Sequence, residues 1–299
     1  MTFASVWDLF VTGMLRGGMY ILMAMGLSLI FGVMNIPNFA HGEFYMLGAY
    51  FAFFGSAILG LNPLLVIVLA AIGGFLCGVI IERAVFYPLR IRSKGNWILN
   101  SFLLTVGLSI TLQNLAQLVM GVDYRGISHY WRGSVGFISG MNISLDRIVG
   151  FIIAMIVVAV FWLFLTRTKT GNSIRAVSEH ETGAMLMGID LKKVHILTFA
   201  LGTMLASIAG AALLSINPAY PTMGIMPLYK SWFVVILVGL GNVGGTIVGG
   251  FIVGMLETAS YYGLGAGWQD VVSLTVIILL LLFKPSGIFG KSVKGVWER

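Results

Sequence analysis

An all-α, polytopic bundle of transmembrane helices, some of them discontinuous, is the fold class this chain predicts. Three observations lead there. Of 299 residues, 58% are hydrophobic and only 10% are charged, whereas soluble domains carry roughly 25% charged residues. The apolar residues come in long continuous runs, not in the short alternating strands of a membrane barrel. The 39 glycines suit close helix packing in lipid. No hydrophilic stretch is long enough for a separate soluble domain, so the chain reads as one domain over 1–299 with about 8 to 9 membrane segments.

The apolar runs place spans at 11–34, 41–60, 63–81, 97–120, 145–166, 195–216, 230–262 and 268–284. Three stretches between or after them hold most of the basic charge. The first, 82–96, has Arg83, Arg90, Arg92 and Lys94; the second, 167–193, has Arg167, Lys169, Arg175, Lys192 and Lys193. The last carries Lys284, Lys291, Lys294 and Arg299. Basic residues gathered in short loops are the positive-inside pattern of membrane topology, so the net charge of +7 points to a lipid bilayer and not to nucleic acid. All three stretches are expected on the cytoplasmic side, the C-terminus with them.

Two spans between the first two basic loops return the chain to one side, as this placement requires. Three runs between the second loop and the last stretch do not. The run 230–262 is the one to divide. As a single helix its 33 residues would reach about 50 Å, against a hydrocarbon core of about 30 Å. Its middle, Gly239-Leu-Gly-Asn-Val-Gly-Gly245, is a helix breaker, so two shorter helices are expected to meet at Asn242. The same count puts the N-terminus outside, although Arg16 weighs against that. Cys77 stands alone and cannot form an internal disulfide. The opening residues lack a basic n-region, so no cleaved signal peptide is expected.

The first break is Asn35-Ile-Pro-Asn-Phe-Ala-His-Gly-Glu43. Pro37 has no amide hydrogen and biases Ile36 away from helix, so the preceding helix should end near Asn35. Asn38 is then expected to cap the next helix, with His41 three residues on and Glu43 just beyond. A histidine and a carboxylate facing lipid would be costly, so such groups line a protected path or satisfy the broken backbone. Both readings stay open: direct contact of Asn35, Pro37, Asn38, His41 and Glu43 with a solute, or mutual satisfaction that holds a broken helix in place.

In the second break, Gly241, Gly245 and Gly249 recur every four residues and predict a flat ridge for helix packing. Asn242 is its polar atom source and either packs or faces the pathway. Glu257, further along, is expected to have a structural partner. Two Gly/Pro/Asn breaks in a membrane chain point to a transport path near the midplane.

The loop from Gly171 to Lys193 places Ile174, Val177, Ala184, Met185 and Gly188 roughly on one helical face. This reads either as an amphipathic helix at the membrane surface or as one that docks into a cytoplasmic partner. No Walker A sequence is present: before Gly290-Lys291-Ser292 the first required glycine is Pro285. No Cys/His cluster, H-E-x-x-H or G-x-S-x-G occurs either, so no enzymatic chemistry, metal or cofactor is expected. His129, His180 and His195 are scattered singly.

At these same residues the chain resembles a known family. Gly26-Leu-Ser-Leu-Ile-Phe-Gly-Val-Met-Asn-Ile-Pro-Asn-Phe-Ala-His-Gly-Glu43 is similar to the Asn-Phe-Ala-His-Gly segment of branched-chain amino-acid ABC importer permeases of the LivH type. The resemblance runs on through Glu82-Arg-Ala-Val-Phe-Tyr-Pro-Leu-Arg90, Met187-Gly-Ile-Asp190, Gly239-Leu-Gly-Asn-Val-Gly-Gly-Thr246 and Lys284-Pro-Ser-Gly-Ile-Phe-Gly290. It implies a membrane subunit of an ATP-driven importer in a bacterial inner membrane. The implied partners are a homologous second permease, two cytoplasmic ATPases and a periplasmic substrate-binding protein. It also makes 167–193 the coupling loop, with Arg175, Glu179, Glu181, Ala184, Gly188 and Asp190 facing the ATPase. Importer permeases carry a Glu-Ala-Ala…Gly pattern there; Glu181-Thr-Gly-Ala-Met-Leu-Met-Gly188 is a divergent version. Relatives more often lack the proline after Asn35-Ile36. The implied cargo is leucine, isoleucine and valine, with urea or short-chain amides as the alternative. Two further readings compete: an ion-driven transporter or channel with His41 and Glu43 relaying protons, and a passive assembly subunit.

Overall fold

The computed structural model describes residues 3–93, 97–136 and 142–290. Four of the basic residues used above, Lys94, Lys291, Lys294 and Arg299, lie outside them. The rest forms a polytopic helical bundle. Among the described residues, seven helices are long and apolar enough to cross a membrane, and Ile225–Val238 is a shorter apolar one.

The long central helix α1 (Phe3–Met34) ends where the sequence stops it. Asn35 takes a left-handed conformation, φ 53°, and its amide still donates to the Phe31 carbonyl at 2.9 Å. Asparagine tolerates that conformation better than other side chains, and a proline shortly after a helix end is a common stop. The chain then runs extended through Asn38 before α2 (His41–Phe53), which continues as a π turn over Phe54–Ile58. Next, α3 (Pro63–Ile81) opens with the Asn62 side chain accepting the Leu65 amide at 3.0 Å and Pro63 in its first turn. A second π turn leads into α4 (Tyr87–Arg92), followed by α5 (Trp97–Met120).

A two-stranded antiparallel hairpin, β1 (Ser134–Gly136) with β2 (Asn142–Ser144), pairs Val135 with Ile143. It is followed by α6 (Leu145–Arg167), α7 (Lys169–Glu179), α8 (Glu181–Leu186) and α9 (Leu191–Leu213). The predicted run 230–262 is divided as expected, into α10 (Ile225–Val238) and α11 (Gly245–Leu264), with α12 (Gln269–Phe283) last.

Helices α1 and α9 form the buried centre, whereas α5 and α12 turn most of their apolar surface outward. Glycine sets the closest crossings. On α1, Gly13 and Gly17 face Gly250 and Gly254 of α11, so a Cβ on Gly17 would stand 2.8 Å from the Gly250 carbonyl oxygen. The expected glycines Gly241, Gly245 and Gly249 also pack closely, but not as one helical ridge: Gly245 and Gly249 meet Val238 of α10, and Gly241 meets Gly32 of α1. Gly241 lies outside the helix at φ 80°. The ridge against α1 sits one residue round the helix, where both partners carry glycines four apart and backbones approach without side chains between them.

Candidate functional site

The first break climbs along α5. The Trp97 indole donates to the Met34 carbonyl at 3.3 Å, and the Thr105 hydroxyl donates to the Pro37 carbonyl at 3.1 Å. Ser109 Oγ and Gln113 Nε2 both donate to Glu43 Oε1 at 2.8 Å. Positions 101, 105, 109 and 113 are Ser, Thr, Ser and Gln, one polar stripe at four-residue spacing along α5. The sequence reading missed this stripe, although its period was visible.

His41 Nε2 lies 3.1 Å from the Met23 carbonyl oxygen of α1. Asn38 does not cap α2: the residue at the N-cap is Ala40, with no side-chain cap bond. Instead Asn38 Oδ1 accepts the Ala40 amide at 3.1 Å, a tight local turn that starts the helix two residues later than expected. Asn38, His41 and Glu43 are all essentially buried, and each keeps a buried polar atom without a partner: Nδ2, Nδ1 and Oε2.

Directly beside this break lies a cavity of about 740 Å³. One face of α1 lines it with Thr12, Leu15, Arg16, Met19, Tyr20 and Met23, which recur at three- and four-residue intervals. The 216–227 segment, Lys230, Tyr45, the hairpin and Arg147 close the other sides. None of Asn35, Pro37, Asn38, His41 and Glu43 lines it. Only His41 stands directly behind its wall: it is bound to Met23, which does line it, and Tyr45 follows one turn after His41.

Beyond the cavity wall, Lys230 Nζ pairs with Glu257 Oε1 at 2.5 Å and also with Asp270, while the Tyr20 hydroxyl donates to Glu257 Oε2 at 2.7 Å. Glu257 thus has the structural partner expected of it. Lys230 escaped the sequence reading because it opens the run that was divided.

The cavity touches the first turn of α6 and the last turn of α9. Residues 168–190 join the opposite ends of those two helices, about 35 Å away for 23-residue helices. There the expected single amphipathic face is broken. Ile174, Val177 and Ala184 are buried, but Met185 and Gly188 are exposed. His180 causes the break: it leaves helical geometry, and its Nδ1 accepts the Gly183 amide at 2.7 Å to start α8. Gly188, at φ 83°, ends α8, and Asp190 starts α9 by accepting the Lys193 amide at 3.2 Å. That amide holds the Asp190 carboxyl below its ordinary range. Arg175, Glu179 and Glu181 are exposed on the same surface, and Leu186 and Met187 are the most exposed apolar side chains there, at 80% and 85%.

The second break is closed by backbone. Ile288 and Phe289 amides donate to the Leu237 and Val238 carbonyls at 2.9 and 3.0 Å. Asn242 does not face the cavity; its Nδ2 donates to the Phe289 carbonyl at 3.2 Å, and its Oδ1 accepts the Gly245 amide at 2.8 Å. Over the cavity end, Asp146 clamps the 121–133 loop by accepting the Tyr130 and Trp131 amides at 3.1 and 2.9 Å. Burial pushes the Tyr130 phenol up, with the Asp146 charge adding to it.

A buried broken helix, a second break on another helix and a large cavity, all inside a multi-pass helical bundle, define a membrane permease component. The chain matches, over residues 9–281, the family described as branched-chain amino acid transport system / permease component, and it belongs to that family. It is 32% identical over 294 residues to BraD of Pseudomonas aeruginosa, a high-affinity branched-chain amino acid transport system permease protein, covering 94% of each chain. It is 31% identical over 292 residues to the LivH permease proteins of Salmonella typhimurium and Escherichia coli, covering 93% of this chain and 94% of theirs. No solved structure matches it.

Proposed function

We propose that this chain is a membrane subunit of an ATP-driven importer in the bacterial inner membrane, forming half of a pathway for leucine, isoleucine and valine. Its partners in that reading are a homologous permease, two cytoplasmic ATPases and a periplasmic binding protein. The relatives' names support the cargo.

One observation carries the mechanism: the 168–190 segment presents Met185, Leu186 and Met187 to solvent from a fold fixed by three capping side chains, Thr168, His180 and Asp190. Exposed apolar residues on so braced a support suit a partner's groove. In this reading Arg175, Glu179 and Glu181 flank the contact. Ala184, Gly188 and Asp190 shape it from within. The basic loops are cytoplasmic, as is the C-terminus, and the cavity opens toward the binding protein.

Exchanging Leu186 for Glu tests the coupling without touching the positive φ of Gly188. We expect leucine uptake by cells carrying the full importer to fall at least tenfold, with the variant still present in the membrane at normal amount. Unchanged uptake would refute docking at this tip.

A further inference from the structure

We propose that the 740 Å³ cavity is a transit site for the solute inside the permease, with Arg16 receiving its carboxylate; this rests on the amino-acid reading above. Three cations among the described residues line the cavity; Arg147 is exposed, and the other two, Arg16 and Lys230, differ in what they already hold. The Lys230 ammonium is matched by two carboxylates, Glu257 and Asp270. The Arg16 guanidinium meets only neutral groups, Gln269 Oε1 at 2.8 Å and the Tyr261 ring at 5.8 Å. Among the described residues no carboxylate lies within ion-pair range of it. A guanidinium has five N–H donors in a planar fork that matches a carboxylate, and Gln269 uses one of them. A half-buried, unmatched cation in so apolar a chain is costly to keep, which marks it as functional.

The rest of the lining suits the other end of such a solute. Met19, Met23, Met223 and Met226 border the same space. Unbranched thioether side chains adapt their shape, so one surface accepts leucine, isoleucine and valine side chains alike. Neither Glu257 nor Asp270 lines the cavity, and both are engaged by Lys230. Recognition should therefore depend on the carboxylate and the branched side chain, not on the amine.

The test is equilibrium binding of radiolabelled L-leucine to the assembled importer in phosphatidylcholine nanodiscs, without its binding protein. Saturable binding is expected, displaced by 4-methylpentanoate, which lacks the amine, and not by 3-methylbutylamine, which lacks the carboxylate. Arg16→Gln should weaken binding at least tenfold, and Arg16→Lys should restore most of it. Met226→Asp, which sets a carboxylate on the cavity wall, should also weaken it tenfold and does not depend on the Arg16 variants folding.

Wild-type affinity in both Arg16→Gln and Met226→Asp, equal displacement by the amine, or no saturable binding would each overturn the proposal. So would loss of leucine binding when anionic lipid is added, which would assign Arg16 to a headgroup. Leucine uptake by wild-type importer with its binding protein is measured in parallel. Its absence would refute the functional reading; its presence beside a failed binding test refutes the transit site alone.

Discussion

At 35–40 the chain leaves a helix deep in the bundle, and the freed carbonyls are met by side chains of α5. At 239–244 it leaves another helix, and the freed carbonyls are met by amides of the 286–290 segment. Both breaks obey one rule, that backbone polar groups in lipid must find partners within the protein. They differ in what is left over. Side-chain satisfaction leaves spare buried atoms on Asn38, His41 and Glu43. Backbone pairing leaves glycines pressed together, Gly241 on Gly32 and Gly287 on Gly239, with no room to rearrange. The first break is polar and adaptable; the second is a brace.

That contrast can be broken by a graded set of variants, each read by thermal unfolding of the purified protein. Gly241→Val should cost most, about 3 kcal/mol or more. It combines a left-handed φ of 80° with a Cβ 2.8 Å from the Gly32 Cα. Gly60→Ala, at φ 62° with nothing nearby, isolates the backbone share at about 1 kcal/mol. Phe289→Pro removes the amide that meets the Val238 carbonyl and should cost about 2 to 3 kcal/mol.

In the first break, Ser109→Ala with Gln113→Ala should cost about 2 kcal/mol by stripping both donors from Glu43. Adding Glu43→Met should recover part of that loss, because removing both sides of a buried polar contact is nearly neutral. Trp97→Phe should cost least, about 1 kcal/mol, through the lost bond to Met34. If the Ser109/Gln113 pair cost more than Gly241→Val, the roles of the two breaks would be reversed.

Much of the fold was legible because local chemistry decided it. The ends of α3 and α5 fall at the expected residues, and the stop at Asn35 follows from Pro37 and an asparagine that accepts positive φ. Division of 230–262 followed from its length, the parity of the spans and the glycine-rich stretch at its middle. What failed to show in the sequence was partnership across the bundle. Gly241-Gly245-Gly249 and Gly250-Gly254 have the same spacing, yet Gly245 and Gly249 meet α10 while Gly241, Gly250 and Gly254 meet α1. Met185 and Gly188 shared a face with Ile174 on paper, until His180 began a new helix between them. The cavity was unreadable because Arg16, Lys230 and the four methionines come from α1 and from residues some two hundred positions away.

The brace at the second break also carries a schedule. Gly239 and Gly241 are synthesised about 47 residues before Ser286 to Gly290 (286 minus 239), the segment that meets the freed carbonyls. At roughly 5–20 residues per second, translation leaves that gap open for a few seconds. During that interval α10 and α11 stand in the membrane with the Leu237 and Val238 carbonyls unmet. A nascent chain stalled before Ser286 should therefore be a clear target for membrane quality control, since only the late arrival of five residues closes a wound opened much earlier.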